Sequence, residues 1–270
     1  MHVITRNFIK LLSSGAFGTS EPLECMSEYK WNRLLKLAQL NHVCDMVASA
    51  IVNTADATSG IVPLKVSQQI SNMRAFENET QRHDDNSVEE RKDKFSCFIF
   101  NAKLNRIRYN EIHSIDTSTE TLTFLTLSIR CANDIYANDV NFKSLIDLGN
   151  YLRSTGDKID FVKADKWLKA LRMRRVMNLI GSYLVSDFGF EIRELPFLKK
   201  ISKQAKSIIA DYIDNNLKML RKEGDDVKEA YNALDEKKNS PRMKFFSYCP
   251  LEVTCRFFAN GLSRITNIEE

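Results

Sequence analysis

The sequence predicts a mostly α-helical protein, a multi-helix bundle carrying one small β-hairpin. Three observations predict it. Glycine and proline are scarce, at 9 and 5 of 270 residues, which favours helices over a turn-rich all-β fold. Apolar residues recur every three to four positions along most of the chain. Strand-favouring residues concentrate in one stretch, residues 95–115. With 43% apolar and 27% charged residues the composition is globular and excludes wholesale disorder. The length suffices for one large domain or two small ones, with a sizeable core.

Along the chain, Thr5 to Ser14 reads as a short helix with Phe8, Leu11 and Leu12 on one face, ended by Gly15 and Gly18. Ser27 is placed to cap a second helix. In it Trp31, Leu34, Leu35 and Ala38 form a stripe that Val43, Met46, Val47, Ala50 and Ile51 continue. A helix over Lys65 to Phe76 comes next. Glu77 to Lys94 reads ENETQRHDDNSVEERKDK, with Val88 its only aliphatic or aromatic residue. Such a segment buries too little apolar surface to offset its ordering entropy and is expected to be a linker.

FSCFIF (Phe95 to Phe100) and RIRYNEIHSI (Arg106 to Ile115) then read as two strands across the turn NAKLN. From Thr119 the chain reads as helical. One stripe is Leu122, Leu125, Ile129 and Ala132, and the next is Phe142, Leu145, Ile146 and Leu152. Asp160 caps a helix bearing Ala164, Trp167, Leu168 and Leu171, and Val176, Met177, Ile180 and Leu184 mark another. Gly189 and Pro196 break the pattern. Ile201 to Ile213 resume it, the charged stretch Arg221 to Lys244 interrupts it, and Pro250 opens a last helix. Both tryptophans, Trp31 and Trp167, are expected in the core. The expected organisation is a helical segment at 1–76, a charged linker at 77–94, the hairpin at 95–118 and a helical bundle at 119–270. No internal repeat is evident.

No apolar run approaches the roughly 20 residues that cross a bilayer, so no membrane partner is expected. The first twelve residues carry Arg6 and Lys10 without a continuous apolar stretch, which is not a signal-peptide pattern; a cytoplasmic location is expected. The six cysteines (Cys25, Cys44, Cys97, Cys131, Cys249 and Cys255) form no C-x-x-C pair and read as reduced, mostly buried thiols. A net charge of +4 is too balanced to argue for nucleic acid by itself.

Chemistry-bearing motifs are thin. Thr19 and Ser20 follow Gly18, but only Glu21, Glu24 and Glu28 come next, without the i, i+2 carboxylate spacing by which a strand holds one divalent ion. Asp157 and Asp160 are three apart, and Asp160 is better placed as a helix cap. No metal and no cofactor is expected. His2, His42, His83 and His113 sit in no nucleophile or metal motif. Lys163, Lys166, Lys169, Arg172, Arg174 and Arg175 form one basic cluster, and Lys199, Lys200, Lys203 and Lys206 a second. Together they offer phosphate contacts; runs like these also serve as solvated helix faces.

Three segments together resemble a family of bacterial nucleotidyltransferases, the group with helical flanks often found near surface-polysaccharide genes. They are NFIKLLSSGAF with WNRLLKLAQLNHVCDMVASAI, then residues 140–197 from VNFKSLIDLGNYLRSTGDKIDF to the closing ELPF, and CPLEVTCRFFANGLSRI. The first is similar to the family's N-terminal helices, the second to its C-terminal helices, the third to its last helix. Between them the family carries a G-S turn, a D-x-D pair and a strand ending in E-x-H. Here the linker 77–94 stands where the turn and the pair belong, and Tyr109-Asn110-Glu111-Ile112-His113 resembles the E-x-H strand.

The resemblance therefore implies a truncated, degenerate relative: a remnant of an α/β nucleotidyltransferase core, with Glu111 and His113 vestigial. Lys166, Lys169, Arg172, Arg174 and Arg175 are the candidate anion contacts. The expected function is a non-catalytic binding or interaction module, with a protein partner such as a full-length relative. One alternative is residual nucleotide chemistry around Glu111. The other is nucleic-acid binding through the basic helices. On the hairpin's exposed face Glu111 would be dispensable to stability.

Overall fold

The computed structural model describes residues 2–54, 62–63, 65–66, 69, 93–137, 140–238 and 245–266. Among them the secondary structure is eleven α-helices and two short 3₁₀ turns, with no strand. The helices are α1 (Val3–Phe17), α2 (Glu28–Leu40), α3 (Cys44–Thr54), α4 (Phe98–Ile112), α5 (Thr119–Tyr136), α6 (Phe142–Thr155), α7 (Phe161–Ala170), α8 (Arg174–Phe188), α9 (Ala205–Lys222), α10 (Val227–Lys238) and α11 (Pro250–Thr266). Of the expected helix at 65–76, residues 65, 66 and 69 are described and helical; the rest of it and most of the linker at 77–94 lie outside the described residues.

The mostly helical class holds; the hairpin does not. Residues 98–112 form α4. FSCFIF is a short apolar run, which periodicity alone cannot assign to a strand or a helix. The residues after it, NAKLNRIRYNE, are rich in good helix formers. The helix buries Phe100, Leu104 and Glu111, spaced four and seven apart on one side. Its start is fixed from a distance in sequence. The carboxylate of Glu252 accepts the amides of Ser96 (2.7 Å) and Cys97 (3.0 Å), the two residues just before the helix, and so holds the chain where it enters α4.

The chain groups into two compact units, each discontinuous in sequence. One is drawn from residues 1–85, 183–191 and 203–237. In it α1 packs on α2 and α3, and α9 packs on α1 and α2. Phe8, Leu11, Leu12, Trp31, Leu34, Leu37, Ile209 and Ile213 are fully buried there. Gly15 lies inside α1 rather than ending it. A Cβ at this position would stand 2.0 Å from the Met46 carbonyl oxygen, so glycine sets how closely α1 and α3 approach. The left-handed residue that ends α1 is Gly18, with φ of 68°. The charged stretch read as an interruption holds α10, which buries Ala230 and sets Tyr231 edge-on to His42.

The second unit is drawn from residues 86–182, 192–202 and 238–270. Here α5 packs on α6 and α7. Phe124 meets Phe161 and Phe197 with ring centroids 5.7 and 5.6 Å apart. Trp167 is only partly buried, unlike Trp31. Asp160 caps α7 as expected, its carboxylate accepting the Lys163 amide at 2.9 Å.

The two units share one local device. The expected single helix through Trp31 and Ile51 is broken between α2 and α3. There His42 takes φ of 54°, and the Val43 amide reaches back to the Ala38 carbonyl at 3.0 Å. Between α7 and α8, Arg172 takes φ of 57° and the Met173 amide reaches Leu168 at 2.8 Å. These are Schellman closures, with Val43 and Met173 buried behind them. The left-handed residue is not glycine in either, so the stop signal is absent from the sequence.

Candidate functional site

The first half of α8 builds a site. Arg174, Asn178 and Ser182 recur every four residues, so they share one face, with Arg175 beside it. The Asn178 carboxamide holds the segment after Pro196. Its Nδ2 donates to the Lys200 carbonyl, and its Oδ1 accepts the amides of Lys199 (3.0 Å) and Lys200 (3.1 Å). One turn on, Ser182 accepts the Ser202 amide at 2.8 Å and donates to the Asn178 carbonyl at 2.6 Å. On the other side the Arg175 guanidinium donates to the Ser247 carbonyl at 2.9 Å. Burial pushes the neighbouring Tyr248 hydroxyl pKa up, against a hydrogen bond with Ser202.

These fixed walls enclose an open pocket of about 450 Å³, lined also by Leu179 and Phe197. Arg174, Arg175, Lys199 and Lys200 all line it, and among the described residues no acidic one does. Arg174 is neutralised by a two-pronged pair with Asp165 on α7. Arg175, Lys199 and Lys200 form no ion pair among the described residues. Three cations without an ion pair among the described residues, in one concavity, make a potential suited to an anion.

Two basic clusters separate in the sequence thus meet here in part. Arg174 and Arg175 come from the first, Lys199 and Lys200 from the second. Lys166, Lys169 and Arg172 are exposed and do not line the pocket. Lys203 belongs to the other unit, as does Lys206. Asn178 and Ser182 carried no signal in the sequence, because their role is to hold a backbone some 20 residues away.

Glu111 and His113 stand at the same end of α4 in different surroundings. Glu111 is 6% exposed, not on an outer face. Its Oε1 accepts from Lys163 Nζ at 2.8 Å and from the Ser118 amide at 2.8 Å, and Lys163 also reaches the Asp116 carbonyl. The hydrogen bond to Glu111 raises the Lys163 pKa above its ordinary value. His113 ends α4, exposed, with Nδ1 2.7 Å from the Tyr109 carbonyl and its ring tilted against Tyr109. The E-x-H strand of the resemblance is here the last turn of a helix.

A second buried carboxylate, Glu252, is fully enclosed. Besides the amides at the start of α4 it meets Arg256 at 3.4 Å, which in turn binds the Asn133 carbonyl and side chain. Around it burial raises the thiol pKa values of Cys249 and Cys255, the latter to about 11. A thiol so shifted is a poor nucleophile at neutral pH. Four of the six cysteines are buried and all six are free. Among the described residues no group of three or more His, Cys, Asp or Glu side chains could hold a metal. No helix there is long and apolar enough to cross a membrane.

No family model, no curated protein and no solved structure matches this chain.

Proposed function

We propose that this protein is a non-catalytic, nucleotidyltransferase-like binding module whose ligand is an anion held in the α8 pocket. The observation that carries the reading is convergence. Arg175, Lys199 and Lys200, from segments over 20 residues apart, reach one cavity whose walls are pinned by side chain to backbone hydrogen bonds. Solvated helix faces need no such pinning. The non-catalytic part is supported by Glu111, whose carboxylate is taken up by Lys163 and the Ser118 amide. Nucleotidyl transfer needs carboxylates free to hold divalent metal.

Thermal unfolding with rising inorganic phosphate or pyrophosphate tests this. A ligand that binds only the folded state raises stability by RT ln(1 + [L]/Kd), about 2.7 kcal/mol at a hundredfold excess over Kd. The wild-type transition should rise, and the rise should vanish in the Lys199→Ala/Lys200→Ala double variant. Magnesium–nucleotide binding that is lost in Glu111→Gln, with the phosphate effect unchanged in the lysine variant, would overturn the reading in favour of residual nucleotide chemistry.

A further inference from the structure

Resting on that anion-site reading, we propose that the pocket takes the terminal phosphate of a small phosphomonoester rather than the backbone of a nucleic-acid strand, and that Asn178 is the residue that positions it.

The first half follows from shape and charge. The uncompensated cations Arg175, Lys199 and Lys200 border a single cavity of about 450 Å³. Ligand pockets for small molecules span roughly 300–1,000 Å³. A strand of nucleic acid is a row of singly charged diesters and is gripped by cations spread along a track. The residues that would extend such a track on this unit, Lys166, Lys169 and Arg172, lie outside the cavity lining. A terminal monoester phosphate concentrates nearly two charges and three acceptor oxygens at one point. Three cations lining one cavity from two walls suit such a concentrated charge, and charge-assisted hydrogen bonds to phosphate are the strong ones.

The second half follows from the hydrogen bonds. Lys199 and Lys200 sit in no helix, so their side chains are placed only as well as their backbone is. Asn178 makes three bonds to that backbone and uses both ends of its amide: Oδ1 receives both lysine amides and Nδ2 meets the Lys200 carbonyl. It stands one turn beyond Arg174 on the helix that also carries Arg175. One side chain therefore fixes the spacing between the two cationic walls. An aspartate there would keep the acceptor, lose the donor and add a negative charge beside the cations.

The test is equilibrium binding on the full chain with three probes: glycerol phosphate as monoester, dimethyl phosphate as diester, and a single-stranded oligonucleotide. Wild type should prefer the monoester over the diester by at least about tenfold. Its affinity should climb as pH rises through about 6, where the monoester takes its second charge. No histidine or carboxylate lines the pocket among the described residues, and Asp165 is engaged by Arg174, so the diester should show no such climb. Asn178→Ala and Asn178→Asp should erase the preference and the pH dependence together, leaving weak, salt-sensitive attraction for all three probes. The Lys199→Ala/Lys200→Ala variant removes two exposed side chains and should lose the preference in the same way; it decides the matter if the Asn178 variants do not fold. Equal binding of monoester and diester, tightest binding of the oligonucleotide, or an intact preference without Asn178 would each sink this inference while leaving an anion site in place. No binding of any probe would overturn the anion-site reading itself.

Discussion

Glu111 and Glu252 show how a single carboxylate changes meaning with its surroundings. Glu111, expected on an exposed hairpin face, is a buried tie between α4, Lys163 on α7 and the amide at the head of α5. Glu111→Ala should therefore cost about 1–3 kcal/mol in urea unfolding, the penalty of stripping a buried hydrogen-bonding partner. The pair also carries a pH signature. The Lys163 pKa is raised above its ordinary 10.5, chiefly by the hydrogen bond to Glu111. A raised folded-state pKa contributes stability that is full below the unfolded value and is lost as pH rises through the folded one. Wild-type stability should thus fall above about pH 10.5, and Glu111→Gln should flatten that fall. Glu252 is enclosed entirely, with two backbone amides and Arg256 as partners. Breaking a buried pair leaves an uncompensated charge and costs about 3–5 kcal/mol. Glu252→Ala should be the more damaging of the two, and amide exchange should quicken first at the start of α4.

At the level of elements, the contacts that join helices decide what the helices can tolerate. Glycine-to-alanine changes usually favour a helix by about 1 kcal/mol. Gly15→Ala should do the opposite. The added Cβ would fall on the Met46 carbonyl, and backbone cannot yield as a side chain tip does. A melting temperature equal to or above wild type would mean that α1 and α3 are not so close. The turn before α8 predicts the reverse sign. Arg172 holds a left-handed conformation that glycine adopts freely, so Arg172→Gly should stabilise by about 1 kcal/mol. Across residues 98–112, backbone chemical shifts should be helical throughout. Extended values there would restore the hairpin and leave Glu252 with no helix entry to hold.

For the molecule as a whole, the sequence was sufficient for class and insufficient for grouping. Scarce glycine and proline, with apolar stripes at helical spacing, marked the helices of both cores, from Phe8, Leu11 and Leu12 to Leu145, Ile146 and Leu152. Those signals are local: each reports which side of one helix avoids water, a property settled within four residues. Asp160 as a cap and Pro250 as a helix start were legible for the same reason. Three things were not. The strand-like run at Phe95–Phe100 instead leads into α4 at Phe98, its entry held by Glu252, more than 150 residues away. The breaks at His42 and Arg172 use residues whose types do not announce a left-handed turn. The pocket needs Asn178 to hold the backbone of Lys199 and Lys200, and an asparagine on a helix carries no mark of that task. In each case the deciding partner is distant along the chain or is backbone, which looks alike at every residue. The sequence by itself determined that helices form and which faces they bury. Only the tertiary structure decided where they stop, which carboxylates become structural and which basic residues face one ligand, because those outcomes depend on partners that folding alone brings within hydrogen-bond reach.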